Sequence, residues 1–193
     1  MNKKFLMILV LMLSCFLTFA KDRGFFGFQF GLGGTVPLYG DGIQWDNHSK
    51  MNDEKYARVI FGADAGITLR LSKPLYFICG IDTSFDFTWN KDYYLNSIDY
   101  AFIGGFQFYP GWGNLSFTLA YAFGSRSDFV KLSPGYPNVT PVKWGNGFKI
   151  AVEYDFIDGG GIVPVAGVYY RFMPRGYDKY DNILSIYFRL AFR

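Results

Sequence analysis

The sequence is poor in residues that cross-link a chain or bind metals. Its 193 residues include two cysteines and one histidine. Cys15 lies in a segment that we expect to be removed, so Cys79 would remain alone and no intramolecular disulfide is expected. A single histidine, His48, excludes a multi-histidine metal site. We therefore expect neither a metal nor another cofactor.

Charge of one sign and long apolar runs are also scarce. The formal net charge is +3, and the basic residues form no run, so nothing favours nucleic acid as a partner. After residue 20 no stretch approaches the roughly 18 apolar residues that a transmembrane helix needs. A protein with this sequence would have to cross a membrane with β-strands.

The first 20 residues have the pattern of a secretory signal peptide. A positively charged start precedes an apolar run at Phe5–Leu13, which is too short to anchor a chain across a bilayer. Thr18 and Ala20 place small residues before a cleavage site. We predict a signal peptide at 1–20 and a single domain at 21–193.

Lipoprotein processing at Cys15 is the alternative for this leader. Ser14 precedes the cysteine, as that reading requires, but Phe16, Leu17 and Phe19 continue the apolar run beyond it. A lipoprotein leader usually becomes polar there, so signal peptidase I cleavage is favoured.

Aromatic residues make up 21% of the chain, which is more than a soluble core of this size requires. They recur with period 2, the period that places alternate residues on opposite faces of a strand. In one segment Phe85, Phe87 and Trp89 alternate with Ser84 and Asp86. The pattern predicts eight strands, at 26–33, 58–71, 75–89, 98–109, 115–124, 147–156, 162–172 and 184–193.

The apolar face of these eight segments carries no charge, although 18% of all residues are charged. A charge that faces the centre of a bilayer costs about 2–4 kcal/mol, whereas aromatic side chains are favoured near the interfaces. This face therefore indicates contact with lipid. We predict an all-β fold, an eight-stranded antiparallel up-and-down transmembrane β-barrel.

The predicted connections differ in length in the manner of outer-membrane barrels. The connections after strands 2, 4 and 6 have about three to five residues, which is typical of periplasmic turns. The others are longer and polar, and they predict outer loops at Gly34–Ala57, Asn90–Ser97, Ser125–Lys143 and Met173–Asn182. An even number of strands then leaves both termini on the periplasmic side.

The opposite face of the strands carries both signs of charge in equal number. An eight-stranded barrel has an interior about wide enough for side chains to fill. We predict that these residues close the interior with ion pairs, and the alternative is a narrow polar path: Arg58, Asp64, Arg70, Asp82, Asp86, Asp99, Lys149, Glu153, Asp155, Arg171, Arg189 and Arg193.

Aromatic residues near the predicted strand ends suggest two girdles at the membrane interfaces. Trp89 and Trp144 fall towards the outer rim, and Trp112, Tyr154 and Phe192 fall towards the periplasmic rim. Amphipathic rings prefer the headgroup level, so anchoring is a better explanation than ligand stacking.

The last strand looks like the C-terminal signal that the barrel-assembly machinery reads, through Leu184, Ile186, Phe188, Leu190 and Phe192. With it, the whole chain resembles the small outer-membrane barrels of the OmpX, OmpW and OmpA-transmembrane groups. Those barrels usually end on the aromatic residue, whereas Arg193 follows Phe192 here. The resemblance implies the bacterial outer membrane as location, with its lipid and the assembly machinery as partners.

The fold alone does not select a function. We favour a non-enzymatic barrel that stabilises the membrane or binds host or matrix molecules through its outer loops, and a narrow channel for small or hydrophobic solutes is the first alternative. An outer-leaflet lipid-modifying enzyme is the second, based on His48, Ser49 and Asp46, although adjacent residues on an extended loop point apart. A soluble lipocalin-like carrier is the third, and it would need its rings inside.

Overall fold

The computed structural model describes residues 24–40, 56–131, 138–141, 143–157, 161–176 and 179–193. These residues form nine antiparallel strands. In chain order, β1 to β9 are Phe26–Tyr39, Ala57–Arg70, Leu75–Trp89, Tyr94–Phe108, Leu115–Lys131, Asn138–Pro141, Gly145–Asp155, Ile162–Gly176 and Lys179–Phe192.

The strands close into one barrel. Apart from β6 and β7, strands that follow one another along the chain pair with each other, and β1 pairs with β9 from Phe28↔Phe192 to Tyr39↔Asp181. The short strand β6 and the strand β7 both pair with β5, one after the other along its length. They therefore complete the same position in the wall, and the predicted eight-stranded antiparallel barrel is confirmed. In the part of the chain that is described, no helix is long and apolar enough to cross a membrane.

The barrel is apolar outside and polar inside. Along β5 the outward Leu119 is 63% exposed, while its neighbours Thr118 and Ala120 are buried. The largest fully buried side chains are those of two arginines, Arg126 and Arg171. The alternation read from the sequence thus assigned the two faces correctly.

One end of the barrel, which we call the turn end, contains the β2–β3, β4–β5 and β7–β8 connections together with Phe26 and Phe192. Backbone hydrogen bonds join neighbouring connections there: Tyr109 N donates to Pro74 O (2.8 Å), and Asp155 N donates to Asn114 O (3.1 Å). The β4–β5 turn includes Gly111 and Gly113 with φ of 85° and 64°, a conformation that glycine adopts without strain.

At the opposite end, the loop end, the strands are longer than predicted. β1 continues from Gly34 to Tyr39, β4 begins at Tyr94, and β5 continues to Lys131. Two predicted long loops were therefore wrong. The Asn90–Ser97 loop reduces to a tight turn, in which Asn90 Oδ1 accepts hydrogen bonds from the backbone N–H groups of Asp92 (3.0 Å) and Tyr93 (2.7 Å).

The Met173–Asn182 loop was wrong for the same reason, since β8 ends at Gly176 and β9 begins at Lys179. Polar residues on the outward face made these segments look like loops. The strands keep their backbone pairing where that face becomes polar, so the end of the apolar pattern is not the end of the strand. The predicted signal peptide at 1–20 and the polar group around His48 lie outside the described residues.

Candidate functional site

The barrel interior is filled by ion pairs at successive heights. At the turn end, Arg193 Nη1 lies 2.6 Å from Asp155 Oδ2. Tyr109 donates a hydrogen bond to the same carboxylate (3.4 Å), and the Arg193 guanidinium lies over the Tyr109 ring at 5.6 Å from its centroid. The charge of Arg193 is therefore directed into the barrel at this end.

Above this pair, Arg189 bridges two carboxylates. Its Nε donates to Asp64 Oδ1 (2.7 Å), and its Nη1 contacts Glu153 Oε1. Glu153 also accepts hydrogen bonds from Gln107, Tyr187 and Ser116. A carboxylate buried among so many donors remains charged without contact with water.

The next layer contains Lys149 and Arg171. Lys149 Nζ lies 2.8 Å from Asp82 Oδ2 and 4.2 Å from the centroid of the Tyr169 ring. Arg171 pairs with Asp99 and donates to the backbone oxygen of Asp82 (3.2 Å). These contacts connect β3 and β4 with β7 and β8 across the interior.

Near the loop end, Arg58 forms a bidentate pair with Asp86, through Nε to Oδ1 (2.8 Å) and Nη2 to Oδ2 (2.7 Å). The Tyr39 hydroxyl donates to Asp86 Oδ2 (2.9 Å). The Arg58 side chain is 34% exposed, so this pair is the most solvent-exposed of the interior ion pairs described.

The sequence analysis missed one buried arginine and both of its partners. Arg126 is fully buried and pairs with Asp128 (Nε to Oδ1, 3.0 Å) and with Asp181 (Nη1 to Oδ1, 2.6 Å). All three had been assigned to loops. The signal was present, because Arg126 and Asp128 continue the even-numbered inward positions of β5, and Asp181 continues the odd-numbered ones of β9.

All of the charges predicted for the interior except Arg70 take part in the ion pairs described above. Arg70 is half-buried at the turn-end limit of β2, where its backbone N donates to Phe25 O (2.7 Å). Among the described residues, no group of three or more histidine, cysteine or acidic side chains has the arrangement to hold a metal.

One cavity between these side chains is small. A cavity of about 20 Å³ lies at mid-height, lined among others by Gln29, Asp82, Gln107, Lys149 and Glu153. That volume is sufficient for about one water molecule. The side chains that line this cavity are therefore closely packed.

Four residues predicted for girdles lie near strand ends, whereas Trp144 contacts Phe102 in the middle of β4, so the two girdles stay a prediction. Trp112 and Tyr154 are exposed at the turn end, where Phe192 stacks on Phe28 with 4.4 Å between ring centroids. Trp89 ends β3 at the loop end, and Trp144 stacks on Phe123 at 4.8 Å.

The residues predicted to form the assembly signal lie on the outer face of β9. Leu184, Ile186 and Phe188 are exposed there, and Leu190 is half-buried on the same face. The strand therefore presents one continuous apolar strip from Leu184 to Phe192.

No protein-family model matches this chain, and neither does any curated protein. Solved structures do match. The attachment invasion locus protein Ail of Yersinia pestis aligns with a TM-score of 0.61 at 11% identity, covering 86% of this chain and 97% of Ail. Ail in complex with the heparin analogue sucrose octasulfate aligns with a TM-score of 0.60 at 9% identity and the same coverage.

Neisserial surface protein A aligns at 14% identity with a TM-score of 0.46, over 86% of this chain and 96% of its own. At these identities the likeness to Ail concerns the fold. The chain has the eight-stranded architecture of small outer-membrane barrels, as the resemblance read from its sequence implied.

Proposed function

We propose that this protein is a non-enzymatic, integral barrel of the bacterial outer membrane that does not conduct ions and binds molecules at its loop end. Membrane insertion is supported by the outward face of the described strands, which carries no charge apart from Lys131 at the loop-end limit of β5. Lipid is the environment in which such a face is stable, because it removes the apolar side chains from water.

The closed interior is supported by the set of buried ion pairs around a cavity of about 20 Å³. Opening a water-filled path would require separating several of these pairs together. Breaking one buried pair by removing a partner costs about 3–5 kcal/mol in other proteins. In this proposal the interior stabilises the barrel, and ligand binding takes place at the loop end.

Planar-bilayer recording tests the closed interior. Refolded protein should give no sustained, ion-selective current steps across the accessible voltage range. Arg189→Ala combined with Lys149→Ala, which removes two interior cations, serves as the sensitised comparison. Reproducible steps from the unaltered protein would contradict the proposal and favour the channel.

Binding at the loop end is supported by two lysines on that rim. Lys91 is exposed in the β3–β4 turn, and the half-buried Lys131 ends β5. Ail, which shares the barrel fold, has been crystallised with a sulfated sugar. We infer that anionic polysaccharides are the ligand class for this rim, since sulfate groups pair with cations.

Retention on immobilised heparin at low salt tests this ligand class. Lys91→Gln should move elution to clearly lower salt, because the lost contact removes one charge pair. Lys73→Gln is the matched control, since Lys73 is exposed in the β2–β3 turn at the opposite end. Equal shifts for both variants would show that net charge alone governs retention, against the proposal.

A further inference from the structure

Between β1 and β2, backbone pairing stops before the two strands end. The β1–β2 ladder ends at Gly33↔Gly62. β1 continues to Tyr39 in register with β9, and β2 extends to Ala57 in register with β3. Among the described residues, no backbone ladder joins 34–38 to 57–61, and we call this gap the first seam.

A proline lies on the seam-facing edge of β1. Arg70 N donates to Phe25 O, and successive residues of a strand direct their backbone groups to opposite sides, so odd-numbered residues of β1 face β2. Pro37 is one of them, and it has no N–H to donate. Proline at such a position prevents ladder formation, as it does on the edges of open sheets.

A second seam has the same construction. The β7–β8 ladder ends at Phe148↔Phe172, while β8 stays paired with β9 to Gly176, with a register shift between Pro174 and Gly176. Phe156 N donates to Pro164 O (2.9 Å), so even-numbered residues of β8 face β7. Pro174 is therefore on the seam-facing edge. The loop end consists of two half-shells, β8–β9–β1 and β2 to β6, between which the described strands form no backbone ladder.

Side chains span both seams where the ladders are absent. Across the first, Tyr39 donates to Asp86, and the hydroxyl oxygens of Thr35 and Ser84 lie 3.1 Å apart. Across the second, Arg126 of β5 pairs with Asp181 of β9. The Arg126 guanidinium also lies over the Tyr39 ring, 4.7 Å from its centroid. These six residues form a latch between the half-shells.

We propose that the loop end is a lateral gate, in which the half-shell β8–β9–β1 moves away from the rest when the latch is broken. The two edges of the first seam are apolar, since Val36, Leu38 and Val59 are exposed on the outer face. A tilted strand crosses a bilayer in about 9–11 residues, and β1 has 14. The seam therefore opens at the level of the outer leaflet, provided that the proposed membrane location holds.

Spin-label pairs on the lipid-facing surface test the gate. In a Cys15→Ser, Cys79→Ser background, Val36→Cys with Val59→Cys places labels across the first seam. Leu32→Cys with Ala63→Cys is the control, because these two residues are direct partners in the ladder of the same strands. In lipid vesicles we expect strong dipolar broadening of the electron paramagnetic resonance spectrum for the control, and weaker broadening for the seam pair.

Tyr39→Phe combined with Asp86→Asn breaks the latch with little change in volume. It should weaken the broadening of the seam pair further and leave the control pair unchanged. Pro37→Val, which restores an N–H on the seam edge, should strengthen the broadening of the seam pair. A seam pair as broadened as the control, or one that the latch variant leaves unchanged, would overturn the gate.

The same vesicles separate this result from the proposed function. Heat-modifiable migration of the labelled proteins reports on barrel insertion itself. Its loss in the parent protein would count against the membrane proposal, whereas intact insertion with a narrow seam counts against the gate alone.

Discussion

Arg189 illustrates how single residues hold this barrel together. Its guanidinium is buried between Asp64 and Glu153 and also lies over the Tyr187 ring, 4.7 Å from its centroid. A charge at this place is stable because every neighbour is a fixed partner. Exchange of any one partner leaves an uncompensated charge in a medium of low dielectric constant.

Arg189→Met should lower the free energy of unfolding by about 3–5 kcal/mol, because two buried carboxylates lose their cation. Arg58→Met is the control. Its side chain is 34% exposed, and the buried Asp86 keeps the hydrogen bond from Tyr39, so the loss should be smaller than for Arg189→Met. Urea unfolding in detergent micelles, followed by tryptophan fluorescence, measures both. An Arg58→Met effect as large as that of Arg189→Met would contradict this view of the interior.

At the scale of a strand, adjacent positions of β4 face opposite environments. A Cβ atom added at Gly104 would meet no heavy atom within 4 Å, because this residue faces outward. A Cβ added at Gly105 would collide with the backbone oxygen of Leu119 and with Ala120. The inward glycine permits close approach of β5, while the outward one leaves open space that lipid fills.

Gly105→Ala should therefore destabilise the barrel by about 1–3 kcal/mol, the usual cost of overpacking. Gly104→Ala, one residue away, should be neutral or slightly stabilising because a strand tolerates alanine better than glycine. Refolding yield and the urea midpoint of the two variants provide the comparison. A larger loss for Gly104→Ala would show that the assigned faces of β4 are reversed.

At the scale of the whole molecule, the two ends of the barrel differ in construction. The turn end has short connections joined by backbone hydrogen bonds, and it holds both ends of the described chain. Among the described residues, the loop end has strand edges outside the backbone ladders, side-chain bridges and the exposed Lys91. This asymmetry agrees with the proposed orientation, in which the turn end faces the periplasm.

Cysteine labelling on intact cells tests that orientation. In the cysteine-free background, Lys91→Cys should react with a membrane-impermeant maleimide, since residue 91 is exposed in the β3–β4 turn. Lys73→Cys, exposed at the turn end, should react after the outer membrane is permeabilised. Labelling of residue 73 on intact cells with protection of residue 91 would mean that the barrel is inverted.

Much of the architecture was predictable because strand geometry is local. Period 2 fixes the face of each residue within its own segment, so Phe85 and Asp86 could be assigned to opposite faces without any knowledge of the partner strands. The absence of charge on one face then identified lipid as its environment. Strand number and the positions of the turns at 71–74 and 109–114 followed from the same pattern.

The lengths of the strands and the partners of the buried charges could not be predicted from the sequence, because both depend on the neighbouring strands. β5 extends to Lys131 since β4 and β6 pair with it there, and this extension buries Arg126 and Asp128. The equal number of inward charges predicted pairing, but which carboxylate meets Arg189 depends on the heights of β2 and β7 around the barrel axis.

The sequence by itself therefore determined which side of the wall faces lipid and that the opposite side holds charge, because both follow from alternation within a strand. The tertiary structure decided where backbone pairing ends. Register between strands distant in the chain sets the two seams, and only closure of the barrel brings Arg126 to Asp181 and Tyr39 to Asp86.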